Sequence, residues 1–462
     1  MAGLTGRKPR LKEQQGSGVN YERLPIRGGN WNNSSNAGLG ALNLNNARTN
    51  ANSNIGFRPR FRSLTSQKAG RYGARSSARS KGCQILAARR KNLSSRRVVP
   101  RREACRLRHY RDEMKTHTHL FEHVVTFDAL HAAYLRARRG KRRAWPCRSF
   151  ERDLEGNLIQ LQNELIWGQY RIGGYRSFEV HEPKTRTITA LVEFRDRVVQ
   201  HALMAVLEPL WEASFINASF ACRVGKGTHA GADHAQAMMR DCLRRHGSLY
   251  ALKADVRKYF ASINHATLKR LLRRKIADRQ VLAILDGIID SYSEPATPGC
   301  GIPIGNLTSQ LMANIYLDAL DQHVKCRRRE KWYARYMDDF IVLHPDKRHL
   351  QALRLDLERW LGDELQLELN HKTGVFPVAT HRGRGLDFLG YHLWPHKRRL
   401  RKASLKRFKR RVRRLQRQYA ARAVDLPHIK QQLASWLAHA RHGDAVPAVA
   451  KFLDQHPFRR NP

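Results

Sequence analysis

At 462 residues the chain is long enough to bury a large core and to divide into about two to four subdomains. Lys and Arg number 86 against 39 Asp and Glu, and the +47 excess runs along the whole chain, which favours a polyanion partner over one solvated basic face. No apolar stretch reaches spanning length, no signal peptide opens the chain, and seven cysteines show no Cys-x-x-Cys spacing; together these argue against a membrane, zinc or disulfide framework and for reduced thiols in a cytoplasmic protein.

Residues 1–113 differ from the rest. Asn32, Asn33, Asn36, Asn43, Asn45, Asn46, Asn50, Asn52 and Asn54 crowd one stretch, followed by a run rich in Arg, Ser and Ala with little periodicity, which reads as a basic disordered tail. From Met114 the apolar residues Leu120, Phe121, Val124, Val125, Phe127, Leu130 and Leu135 fall at helical spacing, and residues 150–172 predict a further helix stopped near Gly173 and Gly174. Residues 179–190 predict a strand pair with a basic tip. A helix follows over 195–212, then a strand and glycine turn over 220–228, then a helix to about Arg245. Residues 249–275 read as strand then helix, 299–307 as a turn-rich loop, 308–326 as a helix, and 347–365 as another. Residues 386–393 predict a hairpin arm, 397–422 a very basic helix, and 427–455 more helix.

Between these elements lies Tyr336-Met337-Asp338-Asp339, flanked by two β-prone, aromatic-rich runs. Neighbouring residues of a flat strand face opposite ways, so an acidic pair converges on one point at a turn. Alone, such a pair is most often a solvated turn. Here a third acid, Asp255, ends the strand-like stretch before Val256-Arg257-Lys258-Tyr259-Phe260. Three aspartates on two strands are the set needed to hold two Mg2+ ions for in-line nucleotidyl transfer, as in a polymerase palm.

From Met114 onward the chain resembles a reverse transcriptase. The resemblance rests on the Arg186 strand, Ser219-Phe220-Ala221-Cys222-Arg223, the Asp255 block, the 303–310 loop, Tyr336-Met337-Asp338-Asp339, Lys372 and Phe388-Leu389-Gly390-Tyr391, in that family's order. Within the family, Ile304-Gly305-Asn306-Leu307-Thr308-Ser309-Gln310 is similar to the loop of diversity-generating retroelement enzymes; most others have Gln at the Ile304 position and Pro at the Gln310 position. The residues from Ser435 to Gly443 are similar to their thumb. Residues 1–113 then resemble a translated template repeat, with the variable end of a C-type lectin encoded in it. Asn codons randomised at adenine never become stops, and roughly forty residues cannot bury a lectin core. We expect this segment to be read-through or a basic extension, with a start near Met114.

The resemblance implies an α+β right-hand polymerase. Fingers would span 114–247, a palm of antiparallel sheet backed by helices 248–395, and a helical thumb 396–462, with part of 276–307 belonging to the fingers. It assigns Asp255, Asp338, Asp339 and the Val256 carbonyl to two Mg2+ ions, with Mn2+ as a substitute. Lys184 and Arg186 would grip the incoming dNTP triphosphate, where the rival reading is a solvated hairpin tip. Phe260 would be the steric gate against a 2′-OH, or else a core aromatic. Gly305 would let the backbone approach the nascent pair, and Ile304 would remove a polar contact that enforces selection; Ser309 and Gln310 would support the template or loop. Lys372 would be a general acid for pyrophosphate, or a surface lysine. Arg398, Arg399, Arg401, Lys402, Lys406, Arg407, Lys409 and Arg410 would track a nucleic-acid backbone. The implied partners are a template-repeat RNA, its cDNA, dNTPs and a small basic accessory protein that oligomerises, in a bacterial, archaeal or phage setting. The competing readings are a group II intron, retron or defence reverse transcriptase, and a non-catalytic RNA-binding protein on the same scaffold.

Overall fold

The computed structural model describes residues 116–181, 185–380 and 383–460. The expectations placed on residues 1–113, on a start at Met114 and on Lys184 lie outside the described residues.

The fingers begin with α1 (Phe121–Val125) and α2 (Phe127–Ala137). Thr126 caps α2 by accepting from the Ala129 amide at 3.2 Å. Where one helix was expected over 150–172 there are two, α3 (Trp145–Glu151) and α4 (Leu154–Ile166). Asp153 breaks them, its carboxylate accepting from the Gly156 amide to start a new N-terminus. Strands β1 (Tyr175–Val180) and β2 (Arg186–Leu191) form the expected antiparallel hairpin, Tyr175 opposite Leu191. Helix α5 (Phe194–Glu212) packs its apolar face on α2. Of the strand and glycine turn expected over 220–228, the turn forms and the strand does not. That segment turns instead, with Cys222 at φ 54° and Arg223 folded back onto Glu212 and the carbonyls of Ile216 and Ser219.

Helix α6 (Thr228–His246) stops at Gly247, whose φ of 72° supplies a left-handed cap. The chain continues through β3 (Tyr250–Asp255), the single turn α7 (Tyr259–Ser262), α8 (His265–Arg273), α9 (Arg279–Asp290) and α10 (Leu307–Gln322), which runs on as a π turn over His323–Arg327. Then come β4 (Trp332–Tyr336), β5 (Asp339–His344), α11 (Lys347–Leu365) and β6 (Gly374–Pro377). These strands make one antiparallel sheet in the order β4-β5-β3-β6. Buried residues fill β4 and β5 on both faces, because α6 packs against β4 and β5 while α11 packs against β3, β5 and β6.

A second small sheet is built from β7 (Leu386–Phe388), β8 (Tyr391–Trp394) and β9 (Lys397–Leu400). The basic helix expected from Lys397 therefore starts later, as α12 (Lys402–Ala420), and is followed by α13 (Leu426–Arg441) and α14 (Val446–Gln455). This is the α+β right-hand architecture expected from the sequence: helical fingers with a hairpin, a palm sheet backed by helices, and a helical thumb.

Two apolar cores hold it. One runs from Leu120 through the palm to Leu393. The other, in the thumb, joins Phe408, Val412, Leu415 and Tyr419 of α12 to Leu433 and Trp436 of α13 and Phe452 of α14, with the Phe408 and Trp436 rings stacked at 3.7 Å. Between them lies a polar seam. Tyr391 Oη is 2.8 Å from His229 Nδ1 and 2.6 Å from His439 Nδ1, and the His229 ring stacks on His442 at 3.9 Å. Among the described residues, no helix is long and apolar enough to cross a membrane.

Candidate active site

The palm sheet brings the two acidic blocks together. In the β3–β5 ladder Asp255 is the direct partner of Asp339, and the Val256 amide donates to the Asp338 carbonyl at 3.2 Å. The β4–β5 turn passes through Met337 at φ 56°, a left-handed conformation that a side chain resists, so its neighbours must hold it. Arg335 does so. Its guanidinium is 0% exposed and pairs with Asp321, also 0% exposed, through Nε–Oδ1 and Nη2–Oδ2 contacts of 2.7 Å. The remaining donors reach the Met337 carbonyl at 3.0 Å, Ser219 Oγ at 3.2 Å and Asn314 Oδ1 at 3.4 Å. All five guanidinium donors are thereby used, and one of them closes the turn that carries Asp338.

Beside this turn lies a cleft of about 640 Å³. Arg186, Asp255, Asp338 and Lys372 line it, as does Arg401, so the structure gathers these five expected site residues. Asn370 anchors Asp255 twice, its amide donating to the Asp255 carbonyl at 2.7 Å and its Nδ2 to Oδ2 at 3.2 Å. Burial, and next the charge of Asp255, push the Asp338 carboxyl well above the usual carboxylate range, with Arg186 pulling the other way. Asp339 is 1% exposed and does not line the cleft; Lys253 Nζ sits 2.9 Å from its Oδ1. Burial raises its carboxyl too, and Lys253 opposes the shift.

Other expected residues are placed elsewhere. Phe260 is 6% exposed, edge-on to Tyr259, and is not part of the cleft lining. The 302–306 loop lies along β2, where the Thr189 amide donates to the Ile304 carbonyl at 2.9 Å. Gly305 has φ 142°, and a Cβ there would lie 2.6 Å from the Thr189 carbonyl oxygen, which explains why this position is glycine. Gln310 and Ser309 are buried in α10, whose N-cap residue is Asn306.

On the thumb side Arg399, Lys402, Lys406 and Arg410 are exposed, with Arg407 and Lys409 half-buried. Lys409 lies over the Phe452 ring at 5.1 Å. Arg398 is a correction. Strand alternation turns it inward, where it is 8% exposed, bonded to Gln236 at 2.6 Å and paired with Asp233, so it braces β9 on α6 and is not available to a phosphate backbone. The sequence reading also missed Lys253, Asn370, Asp321 and the structural role of Arg335. Lys253 was detectable by period, since residues two apart on a strand share a face. Asp321 was not, because its partner lies in another element.

The aspartates suit divalent ions chemically: two carboxylates crowd one cleft, and burial together with the charge of Asp255 makes Asp338 resist ionisation. Among the described residues, however, no three His, Cys, Asp or Glu side chains are gathered as a ready cage. Asp255 and Asp338 face the cleft, while Asp339 is turned onto Lys253.

Three comparisons with known proteins say what the chain is similar to. Residues 180–393 match the family model described as "Reverse transcriptase (RNA-dependent DNA polymerase)". The chain is 26% identical over 278 residues to protein YkfC of Escherichia coli K12, covering 50% of this chain and 70% of that one. It is 23% identical over 267 residues to the group II intron-encoded protein LtrA of Lactococcus lactis subsp. cremoris, covering 43% of each. The chain therefore spans less than half of that relative. Among solved structures it is similar to telomerase from Candida tropicalis, at TM-score 0.39 and 14% identity, covering 66% of this chain and 59% of that one.

Proposed function

We propose that the reverse transcriptase domain carried by residues 180–393, that of an RNA-directed DNA polymerase with group II intron-type relatives, serves a diversity-generating retroelement. In this reading it copies a template-repeat RNA into cDNA with errors at adenine. Residues 114–247 act as fingers, 248–395 as palm and 396–462 as thumb. The observation that carries the polymerase chemistry is the cleft in which Asp255 and Asp338 face Arg186 and Lys372. The finer reading rests on the 304–310 loop and the Asn-rich segment of the sequence.

Asp255, Asp338 and Asp339, with the Val256 carbonyl, would hold divalent ions, which would supply charge neutralisation and acidify the primer 3′-OH. The chain's own residues do the rest. Arg186 holds triphosphate oxygens, and Lys372 stands where a proton can be delivered to departing pyrophosphate. Phe260 underlies the sugar and disfavours ribonucleotides. Gly305 keeps the loop against β2, and Ile304 offers no hydrogen bond by which a mispair would be rejected. The exposed cations of α12 follow the duplex backbone, a contact that weakens with salt.

The test is primer extension on an RNA containing all four bases, with Mg2+ and dNTPs, followed by sequencing of the products. Misincorporation concentrated opposite adenine supports the retroelement. Accurate copying favours the group II intron, retron or defence type. No synthesis, even with cognate RNA and an accessory protein added, would sink the polymerase reading itself.

A second expectation concerns the loop. Gly305→Ala should lower kcat/KM for dNTPs about 10²-fold, because a Cβ forces the loop off β2 and a displacement of about 1 Å costs that much. Heat stability should fall far less. Steady-state kinetics beside a melting curve check it, and unchanged kinetics would remove the loop from the nucleotide site.

A further inference from the structure

We infer that Lys253 is a cationic member of the metal site, an internal counter-ion that covers Asp339 and must release it before that carboxylate can hold an ion. The inference rests on reading Asp255, Asp338 and Asp339 as ion ligands.

Four observations converge on it. Lys253 lies two residues before Asp255 on β3, hence on the same face of the strand. Its ammonium is 2.9 Å from Asp339 Oδ1, and the side chains are 22% and 1% exposed, so the lysine is the lid and the carboxylate what it covers. The cleft is lined by Lys253, Asp255 and Asp338 but not by Asp339, although Asp339 is the ladder partner of Asp255. Backbone position therefore brings Asp339 to the site, and a side chain screens it. Finally, no group of three ligating side chains among the described residues is ready to enclose an ion, as follows when one of the three acids is already engaged.

The chemistry gives this arrangement a use. Three ionised carboxylates in one place repel strongly, and a resting enzyme needs a cation among them. Lysine suits the task better than arginine. Its charge is compact and sits on a flexible four-carbon stem, so it can swing away without unmaking a planar fork of bonds. Lys253 offsets the charge of Asp339 directly, while Arg186 acts on Asp338 from the same cleft. An ion gains Asp339 by displacing the ammonium, and the polyanionic triphosphate that arrives with it offers the freed lysine a partner. Lys253 is thus a positioning residue that sets how readily the site loads.

The test uses the full chain without nucleic acid or dNTP, with Mn2+ as the probe, followed by electron paramagnetic resonance and by the Mn2+-induced rise in Tm. Lys253→Met should bind Mn2+ about tenfold more tightly than wild type, since an ion no longer competes with an internal cation. Its melting temperature should be lower without Mn2+ and recover with it. Lys253→Arg should bind no more tightly than wild type. Unchanged or weaker Mn2+ binding in a folded Lys253→Met protein overturns the inference, as does a Tm loss that Mn2+ does not restore. Should Lys253→Met fail to fold, Lys253→Gln removes the charge, keeps a donor and is read in the same way. Asp338→Asn separates the two levels. If it abolishes Mn2+ binding while Lys253→Met leaves it unaltered, only the lysine assignment fails; if Asp338→Asn leaves Mn2+ binding and primer extension intact, the metal site itself is wrong.

Discussion

Asp338→Asn is expected to abolish nucleotide addition, by at least about 10³-fold, while making the divalent-free protein more resistant to heat at neutral pH. The first effect follows from removing one of the two carboxylates that face the cleft. The second follows from the same carboxylate's environment, where burial and the neighbouring Asp255 hold its acidity well below normal. A carboxyl that titrates higher in the folded chain than in the unfolded one favours folding while it is protonated. That contribution is complete below the unfolded value and is lost as pH rises through the folded value. As pH rises past the unfolded value the carboxyl therefore weighs against the fold, and an isosteric amide does not. Melting curves in chelator from about pH 4 to about pH 8 should show wild type falling behind Asp338→Asn as pH increases. Adding Mg2+ should raise the Tm of wild type and leave that of the variant nearly unmoved. Parallel curves for the two proteins at every pH would mean that Asp338 is ordinarily solvated.

Breaking the Arg335–Asp321 pair should be the most damaging substitution away from the cleft. Both side chains are 0% exposed, so Arg335→Met or Asp321→Ala leaves a charge in the interior without its partner, at a cost of about 3–5 kcal/mol. Arg335→Lys should rescue little, because one ammonium cannot replace a guanidinium that reaches Asp321, Ser219, Asn314 and the Met337 carbonyl together. Arg335→Met with Asp321→Leu should recover part of the loss, since a buried pair replaced by apolar groups no longer strands a charge. Denaturant melts of the two single variants and the double variant measure this directly. Additive losses would show that the two residues act separately. The double variant should still polymerise poorly, because Met337 loses the bond that holds its left-handed turn.

The parts of this molecule legible in its sequence are those decided by short-range patterns. The Asp338–Asp339 turn between two β-prone runs, and Asp255 at the end of a third, are read from alternation, and the sheet places Asp255 opposite Asp339 accordingly. Helix α11, expected over 347–365, has those bounds. The misreadings arise where a local rule was outweighed. A run of basic residues suggested helix from Lys397, but strand alternation takes that run first and sends Arg398 inward to Asp233 and Gln236 while Arg399 stays outside. The apolar residues over 220–228 suggested a strand, yet Arg223 binds its own neighbourhood's carbonyls and bends the chain. Arg186 and Lys372, both expected from their motifs, line the cleft. Phe260, Ile304 and Gly305 are not among its lining residues. Arg335 and Asp321 escaped because a charged residue looks solvated until its partner is known, and here one lies on a strand and the other on a helix.

The polar seam at Tyr391 has a mechanical consequence. The thumb has its own apolar core, and among the described residues Leu400 is the partly buried side chain packed against both cores. A displacement of the thumb would therefore part few shared apolar contacts. What it gives up on swinging out are hydrogen bonds and ring stacking around His229, Tyr391, His439 and His442, contacts that water can replace at modest cost. The joint is a buried polar seam between two apolar blocks.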